Sequence, residues 1–146
     1  PVRLYHRAPQ RNSVVDRVSH LRATVVTGIT SGVYTPSAFN LTNVTSAFPF
    51  QATWLRIMGR VLVAGKLNAT PTLVSTDTSL ELSLPISSNF AEEEDLAGTA
   101  VSFQVGVVSD SSTISAHVAN DRAFFRFSPL ALGSRSFYYT YLYRVL

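Results

Sequence analysis

The sequence predicts an all-β fold, an antiparallel β-sandwich of jelly-roll-like type, with an extended N-terminal arm attached. Three observations predict it. Apolar residues recur with period two along most of the chain from Ala23 to Leu146. Short alternating runs are separated by Ser, Asn, Gly and Pro, the residues that make turns. In that stretch the only helix-compatible segment is Phe90–Leu96, long enough for a short turn and no more.

Residues 1–22 are set apart by charge. They hold Arg3, Arg7, Arg11, Arg17 and Arg22 against Asp16, a net +4, while the other seven basic and eight acidic residues leave the remainder at −1. Two prolines make the first dozen residues extended. Val14, Val15, Val18 and Leu21 then follow helical spacing, and Ser13 with Asp16 resembles a capping box. The β-branched valines limit that helix to one or two turns. The boundary between arm and domain is placed at 22/23. Pro1 is a residue ahead of which an initiator Met is normally removed, and the expectation is a small complete subunit.

The strands follow in order. Residues 53–58 and 60–67 flank Gly59 and read as a β-hairpin, with Val61 and Val63 on one face and Leu62 and Ala64 on the other, both expected to be buried. Leu80, Leu82 and Leu84 alternate with Glu81 and Ser83 in a half-buried strand that ends at Pro85. Val101, Phe103, Val105 and Val107 alternate with Ser102, Gln104 and Gly106 in a further strand. Residues 114–118 and 123–128 form two more strands about an Asn120–Asp121 turn. In the last strand Phe137, Tyr139, Tyr141, Tyr143 and Val145 share one face, and Tyr138, Leu142 and Leu146 share the other.

Chemistry-bearing patterns are sparse. There is no Cys, which excludes disulfides, thiolate metal sites and a Cys nucleophile. His6, His20 and His117 lack i,i+4 partners for a metal, and His117 reads as a polar residue on a sheet face. No nucleophile elbow and no Gly-rich phosphate loop is present. The run Glu92–Asp95 offers oxygen ligands but not the spacing or Gly of a calcium loop, and reads as a solvated loop. Asp77 with Glu81, or Asp110 with Asp121, would make a glycosidase pair only if the fold set them about 5–9 Å apart. Asn40, Asn43 and Asn68 each begin an N-x-[ST] sequon, a pattern frequent by chance in so Ser/Thr-rich a chain. No enzymatic role, catalytic residue, metal or cofactor is expected. No apolar run of about 18 residues is available to span a membrane as a helix.

Composition points to assembly. Charged residues are 14% of the chain, below the roughly 25% of an average protein, whereas interface cores are depleted of charge. Trp54 and the Tyr-rich last strand would suit sugar stacking, yet large aromatics more commonly fill cores and interfaces. Trp54, Tyr138, Tyr139, Tyr141 and Tyr143 are therefore expected at a subunit interface, with a trimer as the oligomer.

Four segments, 53–72 (TWLRIMGRVLVAGKLNATPT), 80–100 (LELSLPISSNFAEEEDLAGTA), 114–127 (ISAHVANDRAFFRF) and 138–146 (YYTYLYRVL), resemble a β-rich domain of tailed-bacteriophage virion proteins. The resemblance covers residues 33–146 and rests mainly on SLPISSNF and ANDRA. Met58 before Gly59 and the acidic run 92–95 depart from the pattern, both in turns. The resemblance implies a structural component of the phage particle, usually trimeric or otherwise symmetric, with no enzymatic role; the expected location is the particle surface, after assembly in the host cytoplasm. The expected role is a capsid decoration (cement) protein that oligomerises on the phage head. Its arm would grip the major capsid protein through Arg3, Arg7, Arg11, Val14, Arg17, Val18, Leu21 and Arg22, the arginines pairing with carboxylates. The alternative is a tail-fibre or receptor-binding head that recognises host glycan. An arm binding nucleic acid is disfavoured, because such arms carry denser blocks of charge.

Overall fold

The structure is a computed structural model, and it describes residues 28–103 and 109–146. The arm residues named above, and the boundary at 22/23, lie outside the described residues. So do Val105 and Val107 of the expected alternating strand.

Ten strands are present among the described residues: β1 (Ile29–Tyr34), β2 (Ala38–Thr42), β3 (Val44–Pro49), β4 (Ala52–Ile57), β5 (Arg60–Pro71), β6 (Thr78–Leu82), β7 (Leu96–Ser102), β8 (Ser111–His117), β9 (Arg122–Phe127) and β10 (Arg135–Arg144). Two short 3-10 turns, Glu93–Asp95 and Val118–Asn120, are the only helical pieces among them. All pairings are antiparallel, in the order β1-β4-β5-β10-β7-β8-β9-β6-β2, and β3 joins the second half of β5. The all-β reading holds.

The sheet is curled because β5 serves two partners on one side. Its first residues pair with β4, its last with β3. The chain crosses between the two sides of the molecule where β2 turns into β3, at Asn43. That residue adopts a positive φ of 56°, which Asn tolerates. Its amide donates to Leu73 O and Thr78 Oγ1, and its oxygen accepts from Leu73 N and the Thr72 hydroxyl. One side chain thus ties the exit of β5 to the start of β6.

Inside the curl lies one core. Val61, Val63 and Leu67 of β5 and Phe137, Tyr139, Tyr141 and Tyr143 of β10 face Ile114, Phe125, Phe127, Leu80 and Leu82 across it. Aromatic edges lock the layers: Phe125 meets Tyr139 at 5.4 Å and Phe90 meets Tyr143 at 5.8 Å, both T-shaped. The β4–β5 hairpin turns through Met58 and Gly59, both at positive φ as a two-residue turn requires.

One strand expectation fails. Leu62 and Ala64 are exposed, Leu62 by 44%, so β5 is buried on one face only. At 101–103 Val101 and Phe103 point outward and Ser102 is buried, and pairing explains why. Residues paired across a sheet share a face. Ser102 lies opposite the buried Phe137, and Val101 opposite the exposed Tyr138. The inward Ser102 is satisfied, since its Oγ accepts from Asp110 N at 2.7 Å.

Candidate functional site

The expected interface residues separate once the last strand is placed. Tyr139, Tyr141 and Tyr143 are almost wholly buried in the chain's own core, and their assignment to a subunit interface is corrected accordingly. The hydroxyls of Tyr141 and Tyr143, with Tyr34, form a polar thread through that core. Tyr141 and Tyr34 share a 2.8 Å hydrogen bond, and Tyr143 donates to Ile86 O at 2.7 Å. Desolvation pushes the Tyr34 phenol up to about 12, and burial raises the other three likewise. Trp54 is half-buried, packed on the core over Gly32, where a Cβ would stand 2.8 Å from its Nε1. Only Tyr138, 55% exposed, keeps a place on the surface.

Next to Tyr138, whose ring lies 5.7 Å from Lys66 Nζ, the middle of the sheet's outer side carries no charge. Leu55, Leu62, Leu142 and Ala97 stand in register across β4, β5, β10 and β7. Beside them Thr53, Ala64, Thr140 and Thr99 form a second uncharged row. Antiparallel sheets normally place polar residues on a solvated face, so this face is unusual.

A second apolar surface lies at one end of the domain. The loop 72–77 joins the loop 128–134 through Ser75 N to Pro129 O at 2.8 Å, and Leu130 N donates to Asp110 Oδ1 at 2.9 Å. Leu73, Val74, Leu130 and Leu132 are all exposed there. No sequence period marks them, because isolated apolar residues in turn-rich segments look alike until three distant loops meet. Underneath, Arg135 and Asp110 form a fully buried ion pair at 3.4 Å. Gly28 lies at the other end of the domain. Met58 N bonds Gly28 O, and Val145 N bonds Gly59 O beside it. The ten residues of β10 put about 30 Å between the ends.

The remaining polar groups are absorbed structurally. Glu81, expected on a solvated face, is buried. Burial alone would raise its pKa, but bonds from Asn40, Arg122 and Asn120, with His117 at 3.7 Å, hold it below the usual carboxylate range. His117 also meets Phe124 edge-on, and Arg122 stacks 3.6 Å over Phe39. The candidate carboxylate pairs are held apart from one another. Asp77 pairs with Arg126, and Asp110 with Arg135. Asp121 accepts from the backbone of Ser88 and Asn89 at the Gly28 end, away from Asp110. In the acidic run, Asp95 bonds the backbone of Glu92 and Ala91, which lowers its pKa with a smaller contribution from Arg144. Among the described residues no three His, Asp or Glu come together as a metal site would need. All three sequon asparagines are engaged by their own chain, Asn68 accepting from Ser136 Oγ.

No protein-family model matches the sequence, and no curated protein matches it. The fold is similar to that of the reovirus attachment protein sigma1, whose crystal structure was solved in complex with alpha-2,3-sialyllactose. The TM-score is 0.51 at 11% identity, over 81% of this chain and 67% of that one. At that identity the likeness is one of fold.

Proposed function

We propose that this chain is a non-enzymatic virion-surface protein whose β-domain serves as an attachment head. The observation that carries the reading is the polarity of the domain. Gly28, the first described residue, stands at one end, and the exposed apolar loop cluster stands at the other. A head joined to a particle through residues N-terminal to Gly28 would present Leu73, Leu130 and Leu132 outward. The likeness in fold to a viral attachment protein supports the same reading. The aliphatic tips Leu73, Val74, Leu130 and Leu132 fit an apolar patch on a host protein, and the half-buried Trp54 is committed to the core.

Labelled full-length protein should bind the surface of host cells, and protease treatment of the cells should remove binding while glycosidase treatment leaves it. Leu130→Ser with Leu132→Ser should abolish binding without altering the far-ultraviolet circular dichroism. A second reading, a capsid decoration protein gripping the shell by its arm, is favoured by the +4 charge of residues 1–22. Particle imaging separates the two. Density over the shell lattice, lost on deletion of 1–22, would replace the attachment reading.

A further inference from the structure

The outer face of β4, β5, β10 and β7 has the properties of a surface that is covered in use. From Leu55 on β4 to Ser115 on β8, the middle outward positions are Leu, Ala, Thr and Ser, without a charge. Strand spacing makes this field about 25 Å wide, and four or five residues make it about 15 Å long. That outline is about 375 Å², and it is enlarged by its side-chain relief and by the flanking Ile57, Met58 and Tyr138, exposed by 43%, 81% and 55%.

The relief of the face identifies the partner. Beside a hollow of about 530 Å³ that Leu55, Ile57, Met58 and Arg60 also line, Leu62 and Leu142 stand as a ridge. Immediately beside it is a shallow hollow of about 420 Å³ floored by Ala97, Gly98, Thr99 and Thr140. Ridge and hollow lie side by side on one surface, so a neighbouring copy can seat its ridge in this copy's hollow. Charge follows the same order. Arg60 stands at the Gly59 end of β5, and the exposed Glu93 and Glu94 precede β7 at that same end. Rotation about an axis parallel to the strands keeps every group at its height. It brings Arg60 of one copy level with Glu93 and Glu94 of the next, and leaves every Gly28 at one end.

We propose that this face joins copies of the chain side by side into a closed parallel ring, a trimer, with the leucine ridge of each copy in the hollow of the next. Three is the smallest ring that a head-to-tail contact closes. The inference does not depend on what the loop end binds.

Sedimentation velocity on the full chain at micromolar concentration should give three times the 15.9 kDa monomer mass. Leu62→Glu changes an exposed side chain, so the fold should survive, as circular dichroism would show. A charge buried without a partner should weaken assembly about a hundredfold or more. Arg60→Glu should weaken it in a salt-dependent way, and adding Glu93→Arg and Glu94→Arg should restore the trimer. A wild-type monomer, or a trimer that Leu62→Glu leaves intact, would overturn the proposal. A two-fold dimer, or failure of the charge swap to rescue, would overturn the ring geometry.

Discussion

Asp110→Ala should be among the most damaging single substitutions in this domain. Asp110 and Arg135 are both buried to within a per cent of complete, with Nη1 3.4 Å from Oδ2. At an effective dielectric of about 20, two charges that close attract by about 5 kcal/mol. Removing the carboxylate takes the counter-charge from a buried guanidinium, a loss of about 3–5 kcal/mol. Alanine also deprives Leu130 N of its acceptor, cutting the link between the β9–β10 loop and the β7–β8 connection. For a chain of this length, about 2–4 °C per kcal/mol translates this into a fall in Tm of roughly 10–15 °C. Urea unfolding and a thermal melt at fixed protein concentration measure it, the concentration being held because assembly would shift Tm. Asp110→Asn keeps an acceptor for Leu130 while removing the charge, so it isolates the electrostatic part. Replacing both partners together, Asp110→Leu with Arg135→Met, should recover most of the loss, since apolar residues of similar volume commonly replace buried pairs without cost. A loss below about 1 kcal/mol for Asp110→Ala, the size of one ordinary hydrogen bond, would refute the reasoning.

The tyrosines of the core give a pH prediction. Tyr34, Tyr139, Tyr141 and Tyr143 all have raised pKa values in the folded state, so between pH 10 and 12 the folded chain holds more protons than the unfolded one. Stability should therefore be intact below pH 10 and fall above it, by up to about 1.4 kcal/mol per pH unit for each tyrosine, as urea titrations would record. Tyr143→Phe should cost about 1 kcal/mol through its lost bond to Ile86 O, whereas Tyr139→Phe, whose hydroxyl is buried with no partner among the described residues, should be neutral or stabilising. Gly65→Ala would set a Cβ 2.5 Å from the Tyr139 hydroxyl and 2.8 Å from Ala52 Cβ, and should cost about 1–3 kcal/mol in unfolding experiments. Trp54→Ala should destabilise by about 2–3 kcal/mol, less than a fully buried Trp, and leave receptor binding by the refolded protein unchanged.

What the sequence determined by itself was local. Period-two alternation marked the β4–β5 hairpin, β8, β9 and β10, because a strand's two faces repeat every second residue whatever the strand packs against. Gly59 and Asn120–Asp121 were legible as turns because Gly, Asn and Asp are the residues that best tolerate the positive φ found at Gly59 and Asp121. The alternation could not say which face points inward. Tyr139, Tyr141 and Tyr143 were assigned to an interface, and alternation left the inward face of 101–103 open, until pairing with β5 and β10 fixed the register. Only the tertiary structure joined Asp110 to Arg135, surrounded Glu81 with donors from Asn40, Asn120 and Arg122, and assembled the loop leucines at the end far from Gly28. Each of these depends on residues tens of positions apart meeting across the sheet, and single-strand patterns carry no record of which strand lies next to which.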